Sequence, residues 1–103
     1  MILFAIDPGV NGACSIYVDR KLCKIFDVPT MTDGKKNKKQ INAAQLSKIV
    51  KQTIEDQKEE ISVIIERVSA MPGQGVTSMF NFGQSFGVIK GIFSTLEIPI
   101  YFV

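Results

Sequence analysis

The 103-residue sequence predicts an α/β domain built on a five-stranded mixed sheet of order 3-2-1-4-5, with two helices on one of its faces. Three observations carry this expectation. Short apolar runs recur at Met1–Asp7, Ala13–Val18, Leu22–Val28, Ile61–Ile65 and Ile98–Val103, each bounded by turn-forming or polar residues. Two segments between the later runs have the spacing of helices that bury one side. The first three runs follow one another too closely to be anything but a meander, whereas the last two are reached through helical crossovers and so lie parallel to the first.

The elements follow in order. Met1 to Ile6 is continuously apolar up to the carboxylate of Asp7, which suits a central strand covered on both faces. Pro8, Gly9, Asn11 and Gly12 break that run, and the polar turn Asp19-Arg20-Lys21 joins the second and third strands into a hairpin. Pro29 to Gln40 reads as polar loop. Asn42 is a natural N-cap for a helix in which Leu46, Ile49, Val50, Thr53 and Ile54 form the apolar side, ending near Gln57. Ile61 to Ile65 is the fourth strand, closed by Glu66. Arg67 to Gly75 holds Pro72, Gly73 and Gly75 and reads as a loop, and a second helix starts near Thr77 or Ser78. Its apolar side comprises Phe82, Phe86, Ile89, Ile92, Phe93 and Leu96.

Gly83, Gly87 and Gly91 recur every fourth position of that helix. A helical glycine costs about 1 kcal/mol relative to alanine, so a flat strip there has a use, either close packing on the sheet or backbone approach to a ligand. Right-handed crossovers place both helices on the same face. The other face is then bare, and a partner chain is expected to cover it, with obligate interfaces commonly burying about 2,000 Å2 or more.

Composition narrows the chemistry. The chain has no histidine, which removes Ser-His-Asp and Cys-His mechanisms, and two cysteines are too few for a zinc site. Carboxylates, lysines, hydroxyls or an oxygen-bound hard cation remain. No run is long enough to span a bilayer and the start lacks the pattern of a secretory signal, so a cytoplasmic protein with no membrane association is expected. Cys14 and Cys23 lie in expected strands and read as two small buried residues rather than a disulfide. Twelve basic residues against ten acidic ones give a net charge of only +2, yet Lys35, Lys36, Lys38 and Lys39 fall within five positions. That cluster is either a solvated loop or a set of phosphate contacts.

The first and fourth strands are expected to be parallel neighbours, and each ends in a carboxylate, Asp7 and Glu66. Acids often end strands as caps or plain surface residues. Placed together at the carboxyl edge of an open α/β sheet, where ligands bind, they repel one another unless one is protonated or a divalent cation holds both ionised. The turn Pro8-Gly9-Val10-Asn11-Gly12 leaves room for a phosphate beside Asp7.

Ala5-Ile6-Asp7-Pro8-Gly9, the hairpin, Ile64-Ile65-Glu66 and Phe82-Gly83-Gln84-Ser85-Phe86-Gly87-Val88 together resemble the RuvC family of Holliday junction resolvases, especially its phage-type members. The resemblance spans nearly the whole chain. It implies a ribonuclease H-like fold, a homodimer that binds branched DNA such as a four-way junction, and phosphodiester cleavage with Mg2+ or Mn2+. It also implies that Asp7 and Glu66 are catalytic residues and metal ligands. DNA phosphates would lie along the carboxylate rim, with Lys35, Lys36, Lys38, Lys39, Arg67, Gln74, Thr77, Ser78 and Asn81 as contacts.

The family's members also carry an acidic pair on a later C-terminal helix, and here the only acid after Glu66 is Glu97, just before the last strand. Two metal ions about 4 Å apart need several carboxylates. The expectation is therefore a single, C-terminally truncated nuclease domain over residues 1–103, a Mg2+-dependent structure-selective DNA endonuclease that is weakly active or inactive as this chain. The alternatives are a non-catalytic module for branched-DNA binding or dimerisation, and a fragment of an actin-like ATPase or sugar kinase. For the last of these, Asn11-Gly12-Ala13-Cys14-Ser15 meets the phosphate-turn pattern only loosely and no second phosphate loop is found.

Overall fold

A computed structural model of the chain describes residues 1–32, 34, 38–55, 57, 59–67 and 75–103, save the side chains of Thr77 and Ser78. Its main sheet is formed by β1 (Ile2–Ile6), β2 (Ala13–Val18), β3 (Lys21–Asp27), β6 (Ile61–Ile65) and β7 (Ile100–Phe102). A second, two-stranded sheet pairs β4 (Thr30–Thr32) with β5 (Lys39–Ile41), and the helices are α1 (Ala43–Ile54) and α2 (Val76–Thr95). The main sheet has the order β3-β2-β1-β6-β7, with β2 antiparallel to both its neighbours and β1, β6 and β7 parallel. This is the topology expected from the sequence.

One side of this sheet is the core. Ile2, Phe4 and Ile6 of β1, Cys14 and Ile16 of β2, and Val63 and Ile65 of β6 are buried against Leu46 and Val50 of α1 and Ile89, Ile92 and Phe93 of α2. Phe4 and Phe93 meet edge to face with ring centroids 5.4 Å apart, the favoured arrangement of two aromatic quadrupoles. Residues of opposite parity fill the other face. Leu3, Ala5, Tyr17 and Ile64 are half-buried there, and Leu22, Ile25 and Tyr101, which pair laterally with Tyr17, Ser15 and Ile64, are exposed. That face has no covering element among the described residues.

Several details differ from the sequence reading. The segment read as polar loop contains the β4–β5 hairpin, whose register sets Thr30, Met31 and Thr32 against Ile41, Gln40 and Lys39. Val28 and Ile41 are buried at its base, and the Asn42 amide donates to the Pro29 carbonyl at 2.8 Å, so two apolar anchors hold an otherwise wet ribbon. Helix α1 starts as expected, with the Asn42 side chain accepting from the Gln45 amide at 3.1 Å, but ends at Ile54. The glycine strip does not pack on the sheet. A Cβ at Gly83, Gly87 or Gly91 would meet nothing within 4 Å, so these glycines face outward beside the exposed Val76 and Phe80. At 100° per residue they lie opposite Ile89 and Ile92, which take the core side. Cys14 is buried and Cys23 is exposed; both are free thiols, so only one of the two fits the reading of a buried residue.

Candidate functional site

The ladder between β1 and β6 runs in register from Ile2 with Ile61 to Ile6 with Ile65, and continues one step further because the Glu66 amide donates to the Ile6 carbonyl at 3.1 Å. Asp7 and Glu66 therefore leave neighbouring strands at the same level, with backbones about 4.8 Å apart. Both are exposed, and both line one open cleft together with Arg67 and Val103. The juxtaposition expected from the sequence is present.

Local hydrogen bonds fix the Asp7 stem. Its amide donates to the Ala13 carbonyl at 3.1 Å, and its Oδ1 accepts from the Gly9 amide at 3.3 Å, closing an Asx-type turn. The Gly12 amide donates to the Gly9 carbonyl at 2.9 Å, and the Gly12 carbonyl accepts from Val28 at 3.0 Å. Gly12 is buried so tightly that a Cβ would sit 2.2 Å from the Asp7 carbonyl oxygen. At Gly9, by contrast, the nearest atom to such a Cβ is Asp7 Oδ1 at 3.8 Å, leaving space beside the carboxylate.

Among the described residues neither carboxylate forms an ion pair with a cationic side chain, the described ion pairs being those of the Met1 ammonium with Asp19 at 2.9 Å and Glu59 at 2.6 Å. No group of three or more histidine, cysteine, aspartate or glutamate side chains converges on a point among them. Asp27 lies in the same lateral row, across Ala13 from Asp7, but two strand spacings away, about 10 Å between backbones. The donor set suits one hard cation held by two carboxylates, with its remaining positions taken by water or phosphate oxygens. Among the described residues it supplies fewer carboxylates than a two-ion centre needs.

The other expected contacts divide into groups. Lys38 and Lys39 border a narrow cleft with Gln84, Asn81 and Ser85 of α2. Asn81 and Ser85 also line a second cleft, of about 410 Å3, whose far wall is Asp7, Gly9, Val10, Asn11 and Gly12. Arg67 lies beside Glu66, and its amide donates to the Val103 carbonyl at 2.8 Å. Lys35, Lys36 and Gln74 lie outside the described residues, while Thr77 and Ser78 fall in the first turn of α2. Gln84 and Ser85 were read from the sequence as part of the Phe82–Val88 motif and not as site residues. Ser85 is the one buried polar side chain among the described residues, and its position between Phe82 and Ile89 on the apolar side of α2 was the available signal.

No protein-family model and no curated protein matches this sequence. Solved structures do match its fold. The RuvC of T. thermophilus in complex with a Holliday junction substrate superposes with a TM-score of 0.69 at 15% identity, covering 100% of this chain and 62% of that one. A further Thermus thermophilus RuvC structure gives a TM-score of 0.59, also at 15% identity, with 100% and 63% covered. The chain thus has the RuvC-type, ribonuclease H-like fold over its whole length and spans less than two thirds of those proteins. At this identity the likeness is one of fold. No helix among the described residues is long and apolar enough to cross a membrane.

Proposed function

We propose that this chain is the strand-and-helix platform of a metal-dependent, structure-selective DNA endonuclease acting on branched DNA such as a four-way junction. The observation that carries this reading is the placement of Asp7 and Glu66 side by side at the carboxyl edge of the parallel strands, exposed and without cationic partners among the described residues. Asp7 and Glu66 would hold Mg2+ or Mn2+, which supplies Lewis-acid activation of the scissile phosphate. Asp7 is aimed by its bond from Gly9, and the space at Gly9 admits a phosphate oxygen. Lys38, Lys39, Arg67 and Asn81 contact neighbouring phosphates, which sets position and orientation rather than sequence preference. Lys35, Lys36, Gln74, Thr77 and Ser78 belong to the same proposal from the sequence.

A second copy, or another chain, over the open sheet face is part of the proposal, supported by the exposure of Leu22 (51%), Ile25 (62%) and Tyr101 (59%) on it. Cleavage of a labelled four-way junction in Mg2+ or Mn2+, repeated with Asp7→Asn, is the test. Metal-dependent cutting that is weak in this chain by itself and abolished by that substitution is expected, and cutting unchanged by it removes Asp7 from the mechanism. A second reading, a junction-binding module without catalysis, is favoured by the lack of a third carboxylate beside Asp7 and Glu66 among the described residues. Binding with no cleavage at any Mn2+ concentration selects it.

A further inference from the structure

The three clefts around the rim share residues and so join end to end. Asn81 and Ser85 belong both to the cleft bordered by Lys38 and Lys39 and to the cleft bordered by Asp7; Asp7 in turn belongs to the cleft that holds Glu66 and Arg67. A path therefore runs from a lysine pair, past the carboxylates, to Arg67. Beyond Arg67 the described surface continues with a second cation. The Arg67 guanidinium sits over the Phe102 ring at 5.4 Å, and Lys90 Nζ lies 5.7 Å from the same ring and 5.4 Å from that of Phe86. The two rings pack against each other with centroids 5.7 Å apart.

This arrangement differs from an ordinary pair of surface cations in what holds it. Neither the Arg67 nor the Lys90 side chain forms an ion pair among the described residues. Aromatic faces attract a cation without cancelling its charge, so β7 and α2 keep two positive groups in place and leave both available to an anion. Phe86 is partly buried against the core and packs on Phe102, and the Arg67 backbone is held by its bond to Val103. A phosphate arriving at the Phe102 ring is attracted by both cations, which lie 5.4 Å and 5.7 Å from the ring centroid.

We propose that Arg67 and Lys90, seated on Phe102 and Phe86, form a phosphate-binding subsite for the nucleic-acid strand as it leaves the carboxylate rim on the β7 side. This rests on the proposed function and extends it: the strand is gripped on both flanks of the carboxylates, by Lys38 and Lys39 before them and by Arg67 and Lys90 after them. Lys24, 5.6 Å over the Phe26 ring on β3, provides a matched control, since it has the same type of seat at the opposite edge of the sheet and borders none of these clefts.

The test is equilibrium binding of a fluorescent four-way junction in EDTA over a series of KCl concentrations, which needs no cleavage. Loss of one phosphate contact lowers the slope of log K against log salt by about 0.7–0.9. Lys90→Gln and Arg67→Gln are each expected to lower it by about that amount, Lys90→Arg to restore it, and Lys24→Gln to keep the wild-type slope. A wild-type slope in Lys90→Gln, or an equal drop in Lys24→Gln, overturns the subsite while leaving the proposed function standing. Failure of the wild-type chain to bind the junction at any salt overturns both.

Discussion

Replacing Gly12 by alanine tests the geometry that aims Asp7. The added methyl would start 2.2 Å from the Asp7 carbonyl oxygen and 2.9 Å from that of Gly9, both backbone atoms that no side-chain rotation can move aside. Ordinary contact begins at 3.4 Å, so the turn must open by about 1 Å. The Asp7 carbonyl belongs to the residue whose amide is tied to Ala13, and the Gly12 carbonyl is tied to Val28, so the movement strains the ends of β1 and β2 together. Overpacking of this kind costs about 1–3 kcal/mol. With a urea dependence near 1 kcal/mol/M for a small domain, the midpoint of unfolding falls by about 1–3 M. Gly9→Ala is the control, because its methyl meets nothing nearer than 3.8 Å and the loss of unfolded-state freedom stabilises slightly. Urea titration followed by circular dichroism measures both. Equal midpoints for Gly12→Ala and Gly9→Ala would refute the claim that close backbone packing at Gly12 sets the turn.

Three further outcomes are expected. Burial pushes the Cys14 thiol up to about 12, whereas Cys23 is exposed, so a thiol reagent at neutral pH should modify one cysteine quickly and the second only after denaturation; two equally fast thiols would contradict the placement of Cys14 in the core. Hydrogen bonds to Asp19 and Glu59 raise the Met1 ammonium above its ordinary value of 8.0, so the stability this group contributes is complete below pH 8 and lost as pH climbs through the raised value. The melting temperature of the wild type should therefore exceed that of Asp19→Asn/Glu59→Gln at pH 7 and converge on it in alkali, and a difference independent of pH would remove the ammonium as its source. Phe93→Ala, at a fully buried ring in contact with Phe4, should cost about 3–5 kcal/mol, a large part of the total for a domain this small, while Phe80→Ala on the outer side of α2 should stay within about 0.5 kcal/mol. Similar unfolding midpoints for the two would contradict the assignment of the buried side of α2.

The parts of the fold legible in the sequence were those whose signal is local and strong. β1, β2 and β6 are short apolar runs with clear stops, α1 has a capping asparagine and a regular apolar spacing, and the parallel pairing of β1 with β6 follows from the crossover rule. The pairing of Asp7 with Glu66 was legible for the same reason, since each is the first residue after its strand. The β4–β5 ribbon was not, because Met31 and Lys39 are exposed and its stability comes from Val28 and Ile41, far apart in sequence and buried only once the chain folds back. Of the two uses the sequence offered for the glycine strip, packing on the sheet is ruled out. A period of four residues fixes that Gly83, Gly87 and Gly91 share one side of α2, but only comparison with Ile89 and Ile92 shows that this side faces away from the core. Lys90 and Phe102 carried no sequence signal as partners, as they are brought together by the packing of α2 along β7.

Whether Asp7 and Glu66 act as one ion-binding unit can be read from titration of the chain with Mn2+, followed by the loss of the free-ion electron paramagnetic resonance signal. One bound Mn2+ per chain is expected, lost in Asp7→Asn and equally in Glu66→Gln, with native circular dichroism in both. Mn2+ binding that survives both substitutions would contradict it.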